Sequence, residues 1–170
     1  VIAYGEQANL YAELGMYDRA LQLNTEAQRY SLLKDSFGLG DLYRYRAAIF
    51  GQTGIKDSIF YYLNQAEKIS ALQGSFKGVF VNKVTTVEAY LEYPDSVQKA
   101  LTLALSVCPD SSRMPQWAKY ELELHLGRAL LQTGKATQGI PLIEKATQGF
   151  IKMDMKSREQ KANDILMDNY

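Results

Sequence analysis

The chain has 170 residues, 46% of them apolar, and nineteen basic residues stand against nineteen acidic ones. That apolar content supports a buried core and excludes a disordered chain, while zero formal net charge excludes a global field that would gather nucleic acid or an anionic membrane surface. A single cysteine, Cys108, excludes an internal disulfide and a thiolate metal cluster, and no apolar run approaches the ~20 residues that span a bilayer. The chain opens at Val1 and closes at Tyr170 inside an expected helix, so it is read as a soluble segment of a longer protein.

Its elements repeat. Ala27, Ala66, Ala104 and Ala146 are spaced by 39, 38 and 42 residues, and eight positions after each stands a polar or turn-forming residue: Asp35, Gly74, Ser112 and Asp154. A period of that size belongs to stacked helix pairs rather than to a coiled coil. In the first unit, about residues 1–34, Tyr4, Ala8 and Tyr11 share a helical face, Gly15 marks a turn, and Tyr17, Ala20, Asn24 and Ala27 share the next face. Helices are expected at about 3–14 and 17–33.

The second unit, about 35–73, repeats the plan with Tyr43, Ala47, Phe50, Gly54, Ile59, Leu63 and Ala66, giving helices at about 36–52 and 56–72. The junction Asp35-Ser36-Phe37-Gly38 recurs as Gly74-Ser75-Phe76-Lys77-Gly78. In the third unit, about 74–112, Tyr93-Pro94 replaces the glycine turn. Phe80, Val84, Val87 and Leu91 form one apolar stripe there, with Val97, Leu101, Ala104 and Cys108 forming the other, and Cys108-Pro109-Asp110 ends the helix in a longer loop. The fourth unit, about 113–153, opens near Pro115 and carries Gly127 and Ala146, small residues that let two helices approach. A last amphipathic helix follows over about 155–170, for nine in all.

The series Tyr4, Ala8, Tyr11, Gly15, Tyr17, Ala20 and Ala27, with Leu126, Gly127 and Gly134 in the fourth unit, resembles the tetratricopeptide repeat (TPR). The usual TPR unit is about 34 residues; these are longer and are similar to the variety seen in kinesin light chains and bacterial sensor regulators. Asn24, Arg46, Glu123 and Gly139 depart from the usual residue types at their positions. The resemblance implies an all-α fold, an α-α superhelix of about nine antiparallel helices, forming one repeat domain over 1–170. It also implies that the first helix of each pair lines a concave, partner-facing surface. The positions so implied are Asn9 and Glu13, Arg44 and Gln52, Asn82 and Thr86, and Arg128 and Gln132.

Catalytic chemistry has no carrier in the sequence. His125 is the only histidine and has no second histidine or cysteine with which to complete a zinc site, so packing or surface exposure is its expected role, and Cys108 is read as helix-end packing. Glu121 and Glu123, two apart on a helix, are expected on different faces and in solvent. The mixed run from Lys152 to Lys161 is read as an exposed connection, with a docking surface as the alternative, and most of the twelve tyrosines, among them Tyr4, Tyr11 and Tyr43, as core. No phosphate loop, dinucleotide fingerprint or nucleophile elbow is present, and no cofactor or metal is expected. The expected function is a non-catalytic protein- or peptide-binding scaffold, the sensory or interaction module of a bacterial signalling or transcription-regulatory protein. It would bind no nucleic acid directly and insert in no membrane. The alternative is a self-association module forming a homo-oligomer. Location is left open, the cytoplasm being favoured over the periplasm.

Overall fold

The computed structural model describes residues 2–33 and 38–168, and their regular structure is helical throughout. The expected junction Asp35-Ser36-Phe37, with the helix start at 36, and the final residues Asn169 and Tyr170 lie outside the described residues. Nine α-helices are described: α1 Ile2–Glu13, α2 Tyr17–Leu33, α3 Leu39–Thr53, α4 Lys56–Leu72, α5 Phe76–Leu91, α6 Val97–Val107, α7 Gln116–Gln132, α8 Ala136–Lys152 and α9 Lys156–Met167. Asp18, Asp41 and Asp57 each stand in the first turn of their helix, where a carboxylate faces the unpaired N–H groups and partial positive charge of the helix start.

Among the described residues, five helices end in one motif. At Gly15, Gly54, Gly74, Gly134 and Asp154 the backbone turns left-handed. In each case that residue's N–H reaches back three residues, and the next N–H reaches back five, as in Gly134 N to Leu131 O at 2.9 Å and Lys135 N to Leu130 O at 2.8 Å. The left-handed step redirects the chain so that the next helix packs back on the one just finished. The third unit follows its own route, as the Tyr93-Pro94 pair requires: Tyr93 is extended and Pro94 opens one 3-10 turn, Pro94–Ser96. A second, Cys108–Arg113, fills the loop before Pro115.

The chain divides into two compact units, Val1–Thr85 and Thr86–Tyr170, with the division inside α5. In the first, Ala8, Ala12, Ala20, Leu23 and Ile49 form a core against which Tyr11, Tyr17 and Leu21 pack. Ser70 of α4 is a point of close approach: a Cβ on Gly40 of α3 would lie 2.5 Å from its Oγ, and one on Gly78 of α5 would lie 2.8 Å away. Phe50 stacks on Tyr62 at 5.4 Å, and the Arg46 guanidinium sits 5.2 Å from the Tyr62 centroid while donating to Thr25 Oγ1. Tyr4 departs from its expected core position: it is exposed and stacks on Tyr30 of α2, while Ala8 and Ala12 of α1 are buried and Tyr11 packs against them.

In the second unit Leu124, Ile143, Ala146, Phe150 and Ala162 form the core, with Tyr120, Leu131, Met155, Ile165 and Leu166 around it. All four alanines of the repeat, Ala27, Ala66, Ala104 and Ala146, are completely buried. Gly127 of α7 and Gly139 of α8 meet backbone to backbone, since a Cβ on Gly127 would lie 2.8 Å from Gly139 O and 2.6 Å from Ile143 Cγ1. Glycine at 139, a departure from the repeat pattern, thus serves the same contact as Gly127.

Candidate interaction surface

The first helices of the pairs carry the eight positions expected to meet a partner, and each has its own setting. On α1, Asn9 donates to Glu13 across one turn at 3.2 Å. On α3, Arg44 is held by Asp41 at 3.0 Å and lies over the Tyr45 ring, while Gln52 is exposed. On α5, Thr86 is half-buried. Asn82 must be corrected: it is only 1% exposed and donates to Ser70 Oγ at 3.0 Å, so its amide joins α5 to α4 and meets no solvent.

Arg128 and Gln132 are brought together with a cavity. Lying one turn apart on α7, they line a trough of about 690 Å³ with Glu92, Leu131, Ser157, Gln160, Lys161, Asp164, Ile165 and Asp168. A second hollow of about 600 Å³ shares Glu92, Arg128 and Gln132 and continues to Pro94, Val97 and Gln98. Arg128 Nη1 donates to Glu92 Oε1 at 2.8 Å, with the arginine side chain 17% exposed and the glutamate 57%. The ion pair therefore stands where the two hollows meet. The α9 residues of the trough were missed in the sequence. Extending the forty-residue register from α7 would have found them, since it carries Arg128 onto Asp168.

Beside the trough a charge network surrounds the buried His125 and Glu121, and it also corrects the sequence reading. Glu121 does point away from Glu123, but it is buried rather than solvated: its Oε1 accepts from Arg158 Nε at 2.7 Å and its Oε2 lies 3.5 Å from His125 Nε2. Glu88 Oε2 is 3.8 Å from that nitrogen, and Lys161 pairs with Glu88 Oε1. Burial pushes the Glu88 carboxyl upward, but His125, Lys161 and Arg158 outweigh it and hold the group at about 2. Arg158 and Lys161, expected in an exposed connection, instead tie α9 to α7 and α5 around a buried imidazole. Glu123 faces the other way and takes Lys145 Nζ at 2.6 Å.

Cys108 caps α6, its Sγ lying 3.3 Å from Ala104 O. Burial raises its thiol above the ordinary range, and the Glu123 charge raises it further, which lowers the thiolate fraction and with it nucleophilicity. Among the described residues no group of three His, Cys, Asp or Glu side chains stands together to hold a metal, and no helix is long and apolar enough to cross a membrane.

No protein-family model matches the chain, and no curated protein does. Among solved structures, the nearly identical TPR-like repeats of a Podosopora anserina protein described as a kinesin light chain align with 98% of this chain and 91% of their own, at a TM-score of 0.66 and 16% identity. A second structure of those repeats aligns with 97% and 90%, at 0.65 and 16%. The fold is TPR-like. The match runs through the irregular third unit as well as the regular ones, because it covers almost the whole chain. At 16% identity the TPR-like likeness concerns the backbone path. In TPR-like terms α7 and α9 are first helices of successive pairs, so the trough lies on the series of helices from which the partner-facing positions were drawn.

Proposed function

We propose that the chain is a non-catalytic scaffold that binds a protein or peptide segment, and that it is the interaction module of a bacterial signalling or transcription-regulatory protein. The observation that carries the scaffold reading is the trough at Arg128 and Gln132, open between first helices of a TPR-like fold and lined by amide, charged and apolar side chains. Such a lining can hydrogen-bond an extended backbone and still bury side chains. Panning a random peptide display library on the purified chain tests it. Selected peptides should lose binding to Gln132→Trp, which fills the trough from an exposed position; peptides indifferent to that change, or none at all, would refute the reading. The signalling part rests on the resemblance of the long repeat to bacterial sensor regulators, and an open reading frame with no DNA-binding or kinase domain would count against it.

Self-association is a second reading, favoured by the exposed Leu10, Leu14 and Met16 around the α1–α2 turn. Sedimentation velocity would then show concentration-dependent dimers that Leu14→Glu abolishes, and a monomer at every concentration would exclude it.

A further inference from the structure

The last turn of α9 carries Asp164, Asp168 caps it, and no basic residue stands in that turn. The carbonyl groups of a helix C-terminus already bear partial negative charge, so carboxylates one turn apart raise the energy of that end and of each other. Both side chains are exposed, and Asp164 accepts from Gln160 Nε2 at 2.6 Å. Both line the trough of about 690 Å³. Its two cations are already engaged, Arg128 by Glu92 and Lys161 by Glu88, so the charge left over in the trough is negative. Beside the carboxylates lie two half-buried apolar side chains, Leu131 and Ile165.

Resting on the scaffold reading, we propose that this trough receives a lysine or arginine side chain of the bound partner, its aliphatic stem on Leu131 and Ile165 and its charged end between Asp164 and Asp168. Long cationic side chains have this division, an apolar stem and a charged tip, and an arginine fork can meet two carboxylates at once. A partner carboxylate in the same place would meet two like charges and would have to displace Glu92 or Glu88 from its cation. Sign, rather than area, is what the trough selects.

The test is an NMR titration of the isotope-labelled chain with three capped pentapeptides, Ala-Ala-Arg-Ala-Ala and its counterparts with glutamine or glutamate at the centre. The arginine peptide should shift the amides of Leu131, Gln160, Asp164 and Ile165 saturably, and the glutamate peptide should bind at least about ten-fold more weakly. Asp164→Asn with Asp168→Asn should weaken the arginine peptide about three- to ten-fold, as should raising ionic strength from about 0.1 M to about 0.5 M. Because the double variant relieves repulsion at a helix end, its melting temperature should stay level or rise, which separates lost binding from lost fold. No saturable shift with arginine, equal binding of the glutamate peptide, or an unaffected double variant would each overturn the proposal. Trough-dependent peptides from the display selection that lack lysine and arginine would overturn it too, while leaving the scaffold reading intact.

Discussion

Asp154 holds the left-handed backbone that four glycines hold at the other regular turns, with φ of 53°. A side chain there costs about 1 kcal/mol relative to glycine, less for Asp than for most residues. Asp154→Gly should therefore raise stability by ~0.5 to 1 kcal/mol, read as a higher urea midpoint, and a lower midpoint would show that the exposed pair with Lys156, at 4.0 Å, outweighs the backbone cost. Glu88 gives a prediction in pH. Its folded value of about 2 lies below the ordinary 4.5, so the ionised form favours folding. That contribution is complete above about pH 4.5, shrinks as pH falls and is gone below about pH 2. Urea midpoints measured between about pH 5 and 3 should fall less steeply in Glu88→Gln than in the native chain. Parallel slopes would mean that Glu88 titrates as an ordinary exposed carboxylate.

Between elements, the deciding quantity is how closely two helices approach. Gly127→Ala would set its new Cβ 2.6 Å from Ile143 Cγ1 and 2.8 Å from Gly139 O, and the second neighbour is backbone that cannot rotate away. It should destabilise by ~1 to 3 kcal/mol even though alanine is the better helix former. Gly51→Ala in α3 meets nothing within 4 Å and should stabilise by ~0.5 to 1 kcal/mol. Thermal denaturation of the two variants checks both signs, and equal losses would refute the distance argument. Contacts of this kind mark the limit of what could be read beforehand. Small residues at Ala27, Ala66, Ala104 and Ala146 announce tight packing because they recur, and so the helices and their pairing were legible. Which glycine faces which was not: Gly139 looked like a lapse in the pattern until α8 was placed on α7. Arg128 and Gln132 reached the trough because their spacing fixes a shared face of α7. Asn82 did not reach a surface, because nothing in α5 alone reveals that Ser70 of another helix will take its amide. Glu121 looked solvated for the same reason, its cation arriving from α9.

For the molecule as a whole, repetition has an energetic consequence. In a TPR-like array each hairpin is stabilised by itself and by its neighbours in sequence, so total stability approximates a sum of local terms. Ala66 of α4 and Ala146 of α8 are both completely buried, occupy the same place in the repeat and belong to different compact units. Replacing either with leucine adds three carbons where there is no space, so each change should cost ~1 to 3 kcal/mol through overpacking. Because the two sites lie in different compact units, the double variant should lose the sum of the two within ~0.5 kcal/mol. Urea denaturation of the native chain, both single variants and the double variant measures the difference directly. A coupling well above that limit would mean that strain at one alanine travels through the helices between them, and the picture of locally summed hairpins would have to give way to a single cooperative core.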